Sequence, residues 1–170
     1  LTRLAMNHIG AEFGQTVNLA VLQAGHLIYR DVQEGPLHIK MSPPPGGYLS
    51  WDKTALGKSI LAFLSRDRTV RLLQLSSIEY ARRAKQTLWS ELGEIRSKGF
   101  AFDLEECADG LCCVAAPIFG PANDPVAALG ISGSSSVLTM RALPRIGARL
   151  IEECAAVSVG LGCKDLPATA

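Results

Sequence analysis

A β-hairpin signal near the start of the chain is the feature that most constrains its fold. Residues 16–22 alternate between apolar side chains on one face and Asn18 and Ala20 on the other, the pattern of a strand with two different faces. Ala-Gly at positions 24–25 predicts a tight turn, and residues 26–32 predict the partner strand. Because strands joined by so short a turn run antiparallel, the hairpin favours a mainly antiparallel sheet.

The rest of the chain carries patterns that predict helices beside this sheet. A chain of 170 residues is long enough for one domain with its own core, and no repeat divides it. We predict an α+β fold, in which one mainly antiparallel sheet has flanking helices. The predicted helices are 3–14, 54–64, 66–75, 87–98 and one that begins at 139, and the further strands are 37–41, 100–104, 112–119 and 126–133.

Charge and hydropathy disfavour two classes of partner. The chain has 17 Lys and Arg residues against 16 Asp and Glu, and its net charge of +1 is too balanced for a dedicated nucleic-acid surface. We interpret the basic cluster at residues 82–85 as a solvated loop. No apolar run approaches the roughly 20 residues that span a bilayer, and residues 1–15 do not resemble a signal peptide. We therefore expect a cytoplasmic location and no membrane contact.

The five cysteines are the candidates for metal or thiol chemistry. Their odd number predicts reduced thiols, which we interpret as small buried apolar side chains. Cys112 and Cys113 are adjacent and should point to opposite faces of a strand. Two alternatives stay open: a metal-binding sensor that uses Cys107 or Cys113 with Asp103 and a distant histidine, and an enzyme with Cys113 as nucleophile. Both lack support because all three histidines precede residue 40, so we predict no metal, no cofactor and no catalytic residues.

A helix start at Thr54 and an acidic stretch at Asp103 suggest a pocket for a small anion. Thr54 is typical of an N-cap, Gly57 follows at the third helical position, and the N–H groups of such a first turn attract anions. Lys58 follows one turn into the helix, and we predict that it faces solvent. The Pro- and Gly-rich loop at 43–47 is either the rim of the site or a plain connector.

Short motifs along the chain occur in a characteristic order. They are residues 16–21, Ala-Gly at 24–25 with Tyr29, Thr-Ala-Leu-Gly-Lys at 54–58 with residues 61–64, and residues 95–100, 103–106, 113–117 and 128–133. As an ordered set they resemble the effector-binding domain of IclR-type bacterial transcriptional regulators over about residues 1–160. The resemblance implies a GAF-like α+β domain without enzymatic activity. Residues 1–15 would be the end of a linker helix, 16–162 the effector-binding domain and 163–170 a flexible tail.

The same resemblance implies a set of partners. The ligand is expected to be a small organic or aromatic acid, and the chain is expected to form a homodimer or homotetramer. DNA would be bound only through an N-terminal winged helix-turn-helix domain, which is absent from this sequence.

Carried over position by position, the resemblance also implies a ligand site. The N–H groups after Thr54 would hold a carboxylate, and Asp103 matches the acidic pocket residue. Gly130 stands where the family usually has the first of two serines, which removes a hydroxyl and adds space. Asp103 could instead only cap the following turn, and Ser132 could bond only to backbone. The implied ligand-binding residues are Ala55, Leu56, Gly57, Asp103, Leu111, Cys113, Gly130 and Ser132.

Overall fold

A single antiparallel sheet organises the molecule. The computed structural model describes residues 1–37, 41, 43–76 and 85–167. Its strands are β1 (Thr16–Gln23), β2 (His26–Gln33), β3 (Ala101–Leu104), β4 (Leu111–Phe119) and β5 (Pro125–Ser134). They lie in the order β2-β1-β5-β4-β3, and each neighbouring pair is antiparallel. The helices are α1 (Thr2–Phe13), α2 (Ala55–Leu61), α3 (Arg66–Ser76), α4 (Lys85–Lys98) and α5 (Leu143–Gly160). The predicted α+β class is confirmed.

The two faces of the sheet carry separate hydrophobic cores, because side chains alternate along each strand. On one face α1 and α5 cover Val17, Val114 and their neighbours. On the other face α2, α3 and α4 cover smaller strand residues, among them Ala115 and Ala128. Small residues on this second face let the short helix α2 lie directly on β4 and β5.

Gly130 marks the point of closest approach between α2 and the sheet. A Cβ atom built at this position would lie 2.8 Å from the Val114 carbonyl oxygen and 3.2 Å from Cδ2 of Leu56. Leu56 and the strand neighbours therefore occupy the space that a side chain at 130 would need. The expectation that Gly130 leaves additional room for a ligand is wrong for this reason.

The start of α2 is fixed by Thr54 and Gly57. The Thr54 hydroxyl donates to the Ser50 carbonyl at 2.6 Å, and its oxygen accepts the Gly57 N–H at 3.0 Å, as expected of an N-cap. A Cβ at Gly57 would lie 2.3 Å from the Trp51 carbonyl oxygen, so only glycine lets the chain before α2 pack this closely.

The predicted hairpin turn is confirmed by its backbone angles. Ala24 and Gly25 both have positive φ, at 49° and 82°. Two consecutive residues of this kind define the two-residue turn whose twist matches that of the flanking strands.

Several predicted boundaries are corrected by the structure. The helix expected over 54–64 ends at Leu61, after which i→i+3 bonds such as Leu64 N–H to Leu61 C=O tighten the chain. The helix expected from 87 begins at Lys85, and the last helix begins at Leu143 rather than 139. Residues 38–40 of the predicted strand and 82–84 of the basic cluster lie outside the described residues.

The chain after α5 returns to the turn between β4 and β5. Oδ1 of Asn123 accepts from the Cys163 thiol at 3.3 Å and from the Lys164 N–H at 3.3 Å. Residues 168–170 of the predicted tail lie outside the described residues. Among the helices that the structure describes, none is long and apolar enough to cross a membrane.

Candidate functional site

A cavity lies between the start of α2 and the sheet face beneath it. Its volume is about 20 Å³, and about 360 Å³ when the open space at its mouth is counted. Seven of the eight predicted ligand residues line it: Ala55, Leu56, Asp103, Leu111, Cys113, Gly130 and Ser132. The further lining residues include Asn18, Tyr29, Met41 and Cys107. Residues more than 100 positions apart in the sequence thus meet at one place.

Gly57 is the predicted residue that does not line the cavity. Its N–H is donated to Oγ1 of Thr54 at 3.0 Å, so this group is already occupied by the cap. The N–H of Lys58 donates to the Thr54 carbonyl. The donors that the first turn can offer a ligand are therefore those of Ala55 and Leu56.

Asp103 both caps a turn and lines the cavity, so capping does not remove it from the predicted ligand site. The residue is 1% exposed, and its Oδ1 accepts the N–H groups of Glu106 at 2.9 Å and Cys107 at 3.3 Å. Burial raises the pKa of Asp103, and the two backbone hydrogen bonds partly oppose that rise. A carboxyl group with a raised pKa at a cavity wall is suited to both accept and donate hydrogen bonds.

Cys113 and Tyr29 complete the polar wall beside Asp103. Cys113 lies directly opposite Asp103 across β3 and β4. Burial, with a smaller contribution from the Asp103 charge, raises the pKa of the Cys113 thiol. Burial also raises the pKa of the Tyr29 phenol. Both groups are therefore neutral at physiological pH, and the un-ionised thiol is a poor nucleophile.

The sequence did not single out Asn18 as a site residue, yet it lines the cavity from β1, on the sheet face that forms the cavity floor. Its Nδ2 donates to Oγ of Ser132 at 2.9 Å, so the alternative that Ser132 bonds only to backbone is wrong. Oδ1 of Asn18 is buried and has no hydrogen-bond partner in the described part of the chain. The available signal was a polar side chain on the inward face of an otherwise apolar strand.

Lys58 is buried, contrary to the prediction that it faces solvent. Its side chain is 0% exposed, and Nζ donates to Glu91 at 2.6 Å and to Glu106 at 2.5 Å. The two carboxylates, which come from α4 and from the turn after β3, neutralise the charge inside the fold. Glu106 belongs to the turn that Asp103 caps, so this ion cluster lies directly behind the cavity wall.

The loop at 43–47 is a connector in this structure, and none of its residues lines the cavity. The N–H of Gly46 donates to the Tyr29 carbonyl at 2.7 Å, and the Tyr29 N–H donates to the Gly47 carbonyl at 3.0 Å. The loop therefore pairs with β2, and Met41 supplies the exposed rim residue.

The cysteines divide by position. Cys112, Cys154 and Cys163 are buried as predicted, Cys113 is half-buried, and the prediction is wrong for Cys107, which is exposed at the cavity. Cys112 packs in the opposite core from Cys113, which confirms that adjacent strand residues face apart. Within the described residues, no group of three His, Cys, Asp or Glu could hold a metal ion.

Comparison with known families identifies a match along nearly the whole chain. The family model described as "Bacterial transcriptional regulator IclR C-terminal" matches residues 1–159. The transcriptional repressor IclR of Escherichia coli (strain K12) is 35% identical over 164 residues, which cover 92% of this chain and 60% of that protein. The acetate operon repressor of Salmonella typhimurium is 36% identical over 156 residues, covering 88% of this chain and 57% of that repressor. The chain thus spans about three fifths of the length of these curated relatives.

Solved structures show the same architecture. The crystal structure of Thermotoga maritima IclR matches with a TM-score of 0.87 and 30% sequence identity, over 95% of this chain and 67% of that one. The antiparallel sheet and its flanking helices are therefore shared with that regulator.

Proposed function

The chain belongs to the IclR family of bacterial transcriptional regulators as its C-terminal, effector-binding domain, and from that premise we propose that the cavity beneath α2 binds a small organic acid. In the whole protein, this acid would modulate DNA binding by a winged helix-turn-helix domain that lies outside this sequence. We assign the chain no enzymatic role, since the relatives that it matches are transcriptional regulators.

One observation supports the proposal most directly: buried polar groups converge on an otherwise apolar cavity. Asp103, Ser132 and Asn18 are all buried and all line it, beside apolar residues such as Leu111. Burying such groups costs free energy unless they are hydrogen bonded. A concentration of this kind in a concave site is typical of a ligand pocket.

The charges around the cavity favour a particular way of holding the acid. Among the described lining residues there is no Lys, Arg or His, so an anion would be held by the N–H groups of Ala55 and Leu56. A ligand carboxylate would raise the pKa of Asp103 further, and a protonated Asp103 would donate a hydrogen bond to it. Leu111 and Cys113 would pack against the apolar part of the ligand.

A thermal-shift screen with small carboxylates and phenolic acids tests this function. A ligand that binds only the folded state at 100 times its Kd should add about 2.7 kcal/mol of stability. For a domain of this size that corresponds to a rise in Tm of roughly 5–10 °C. The matched control is the primary amide of each acid, which keeps the shape and removes the negative charge. No shift with any acid, or equal shifts with acid and amide, would contradict the proposal.

Self-association is the second part of the proposed function. Leu4 at the start of α1 and Val159 at the end of α5 are each 60% exposed, and Leu1 beside them is 64% exposed. We infer that these apolar side chains contribute to contact between copies of the chain in a homodimer or homotetramer.

A further inference from the structure

One buried pair on the cavity floor has hydrogen-bonding capacity that the fold does not use. Asn18 is 3% exposed and Ser132 is 4% exposed. They are joined by a single hydrogen bond of 2.9 Å between Nδ2 of Asn18 and Oγ of Ser132. Oδ1 of Asn18 is buried at the same place without a partner among the residues that the structure describes. A buried acceptor left in this state destabilises the fold, which makes it a notable feature of a cavity wall.

The pair offers at least one free donor and one free acceptor. With one Nδ2 proton donated to Ser132, the second Nδ2 proton, the Ser132 hydroxyl proton and Oδ1 of Asn18 remain. Rotation of the amide by 180° makes Ser132 donate to Oδ1, and then both Nδ2 protons and a lone pair of the hydroxyl oxygen remain. In both arrangements the pair keeps donor and acceptor capacity.

The register of the sheet explains why this capacity faces the cavity. Asn18 lies directly opposite Gly130 across β1 and β5, and Ser132 is two residues further along β5 on the same face. Such diagonal neighbours are within reach of each other's side chains. Gly130 has no side chain, and Asn18 and Ser132 both line the cavity beside it.

We propose that the Asn18–Ser132 pair recognises a hydroxyl group of the bound acid, so that the cavity selects a hydroxy acid over the oxo or unsubstituted acid of the same length. This inference rests on the proposed function, since it specifies the ligand of the same site. A hydroxyl both donates and accepts, and so it can bond to a free acceptor and to a free donor of the pair. An oxo group accepts only, and a methylene does neither, so the expected order of affinity is hydroxy, then oxo, then unsubstituted.

Two series of acids that differ at one carbon test the order. The first is lactate (both enantiomers), pyruvate and propionate, and the second is 3-hydroxybutyrate, acetoacetate and butyrate. Isothermal titration of the parent chain should show that the hydroxy acid of at least one series binds roughly tenfold or more tightly than the unsubstituted acid, the scale of one buried polar group left unpaired.

The same titrations on the double variant Asn18→Leu/Ser132→Ala test whether this pair causes the preference for hydroxy acids. Removing both members of the pair leaves neither one unpaired, so the fold should tolerate the change. The ratio of hydroxy-acid to unsubstituted-acid affinity should fall towards one. If the double variant does not fold, Asn18→Ala alone replaces it in the test. The ratio of hydroxy-acid to unsubstituted-acid affinity should then be at least several-fold lower than in the parent. Gln33→Leu is the matched control, because Gln33 also has a buried, unpartnered side-chain oxygen but does not line the cavity. It should keep the parent's ratio.

The outcomes separate this inference from the function on which it rests. If the parent binds no carboxylate at all, the proposed function fails and the inference fails with it. If carboxylates bind but hydroxy acids have no advantage, the function stands and the inference is overturned. An advantage that persists unchanged in the Asn18 variants also overturns it, because another group, such as Asp103, would then read the hydroxyl.

Discussion

Lys58 and Glu106 form an ion pair with 2.5 Å between Nζ and Oε1, in which the lysine side chain is completely buried. The N–H of Glu106 donates to Asp103 at 2.9 Å, so one residue connects the ion cluster to the cavity wall. Glu91 on α4 is the second partner of Lys58, at 2.6 Å. Helices α2 and α4 and the turn after β3 are thus tied together behind the site.

Removal of both carboxylates should leave the Lys58 ammonium buried without a partner. We expect Glu91→Ala/Glu106→Ala to lower the free energy of unfolding by about 3–5 kcal/mol, as for a buried pair that loses one side. Adding Lys58→Met should recover most of this loss, because an apolar side chain then replaces the unpaired charge. Urea denaturation measures all three. Glu94→Ala, which removes only the exposed pair with Lys98, should change the free energy by less than about 0.5 kcal/mol. If the free energy of unfolding falls equally with and without Lys58→Met, the unpaired Lys58 charge is not the cause of the loss.

Gly130→Ser restores the hydroxyl that the family usually has, but the structure leaves no space for it. The new Cβ would lie 2.9 Å from Cβ of Ala115 and 3.2 Å from Cδ2 of Leu56. We expect a loss of about 1–3 kcal/mol in the free energy of unfolding, as for overpacking of a core. Gly93→Ala on α4 is the control: nothing lies within 4 Å of the added Cβ, so stability should rise by roughly 0.5–1 kcal/mol. A Gly130→Ser protein as stable as the parent would show that α2 can move away from the sheet.

The sequence predicted the fold better than it predicted the site, and the reason is the range of the interactions. The hairpin and the Thr54 cap depend on residues within a few positions of one another, and both are confirmed. Lys58 was wrongly predicted to face solvent because its partners lie 33 and 48 residues away. Neither burial nor neutralisation of such a charge can be inferred from its own helix.

Asn18 was missed for a similar reason. Its inward position on β1 followed from the alternation, but its bond to Ser132 spans 114 residues and depends on the pairing of β1 with β5. The implied ligand residues, in contrast, came from a resemblance, and the cavity brings seven of them together. Gly57 is the exception, because only the geometry of the cap shows that its N–H is occupied.

The raised pKa of Asp103 predicts a pH-dependent stability difference. Folding raises the pKa above its ordinary value of 3.8, so the folded state binds the proton more tightly than the unfolded state. As pH rises from 3.8 through the folded-state pKa, the contribution of Asp103 to the stability of the parent decreases. Below 3.8 the carboxyl is protonated in both states, and this contribution is fully present.

Asp103→Asn keeps an oxygen to cap the turn but does not titrate. Its stability relative to the parent should therefore increase with pH across this window and then level off, as measured by urea denaturation at several pH values. Asp109→Asn, an exposed aspartate in the same connection, removes the same charge and is the control. If the stability difference between Asp103→Asn and the parent does not depend on pH, folding does not raise the pKa of Asp103.

Charged substitutions at the exposed apolar patch should weaken self-association. Leu4→Glu/Val159→Glu places carboxylates on side chains that are each 60% exposed, so the fold of the monomer should be unaffected. We expect light scattering at micromolar concentration to show an oligomer for the parent and a lower mass for the variant. Met140→Glu, equally exposed but located before α5, should leave the mass unchanged. A parent that is monomeric at all concentrations would count against the proposed assembly.

Three single changes in the cavity should reduce affinity for whichever acid emerges from the screen. Asp103→Ala and Ser132→Ala each remove a buried hydrogen-bonding group, and each should weaken binding by about 1–3 kcal/mol. Leu56→Asp should weaken it more, because it places a negative charge beside the N–H groups that would hold the carboxylate. Calorimetry measures the affinities, and circular dichroism first establishes that each variant is folded. Ser134→Ala is the matched control for Ser132→Ala, since it lies two residues along the same strand, exposed and outside the cavity. Parental affinity in all three folded variants would place the ligand elsewhere in the domain.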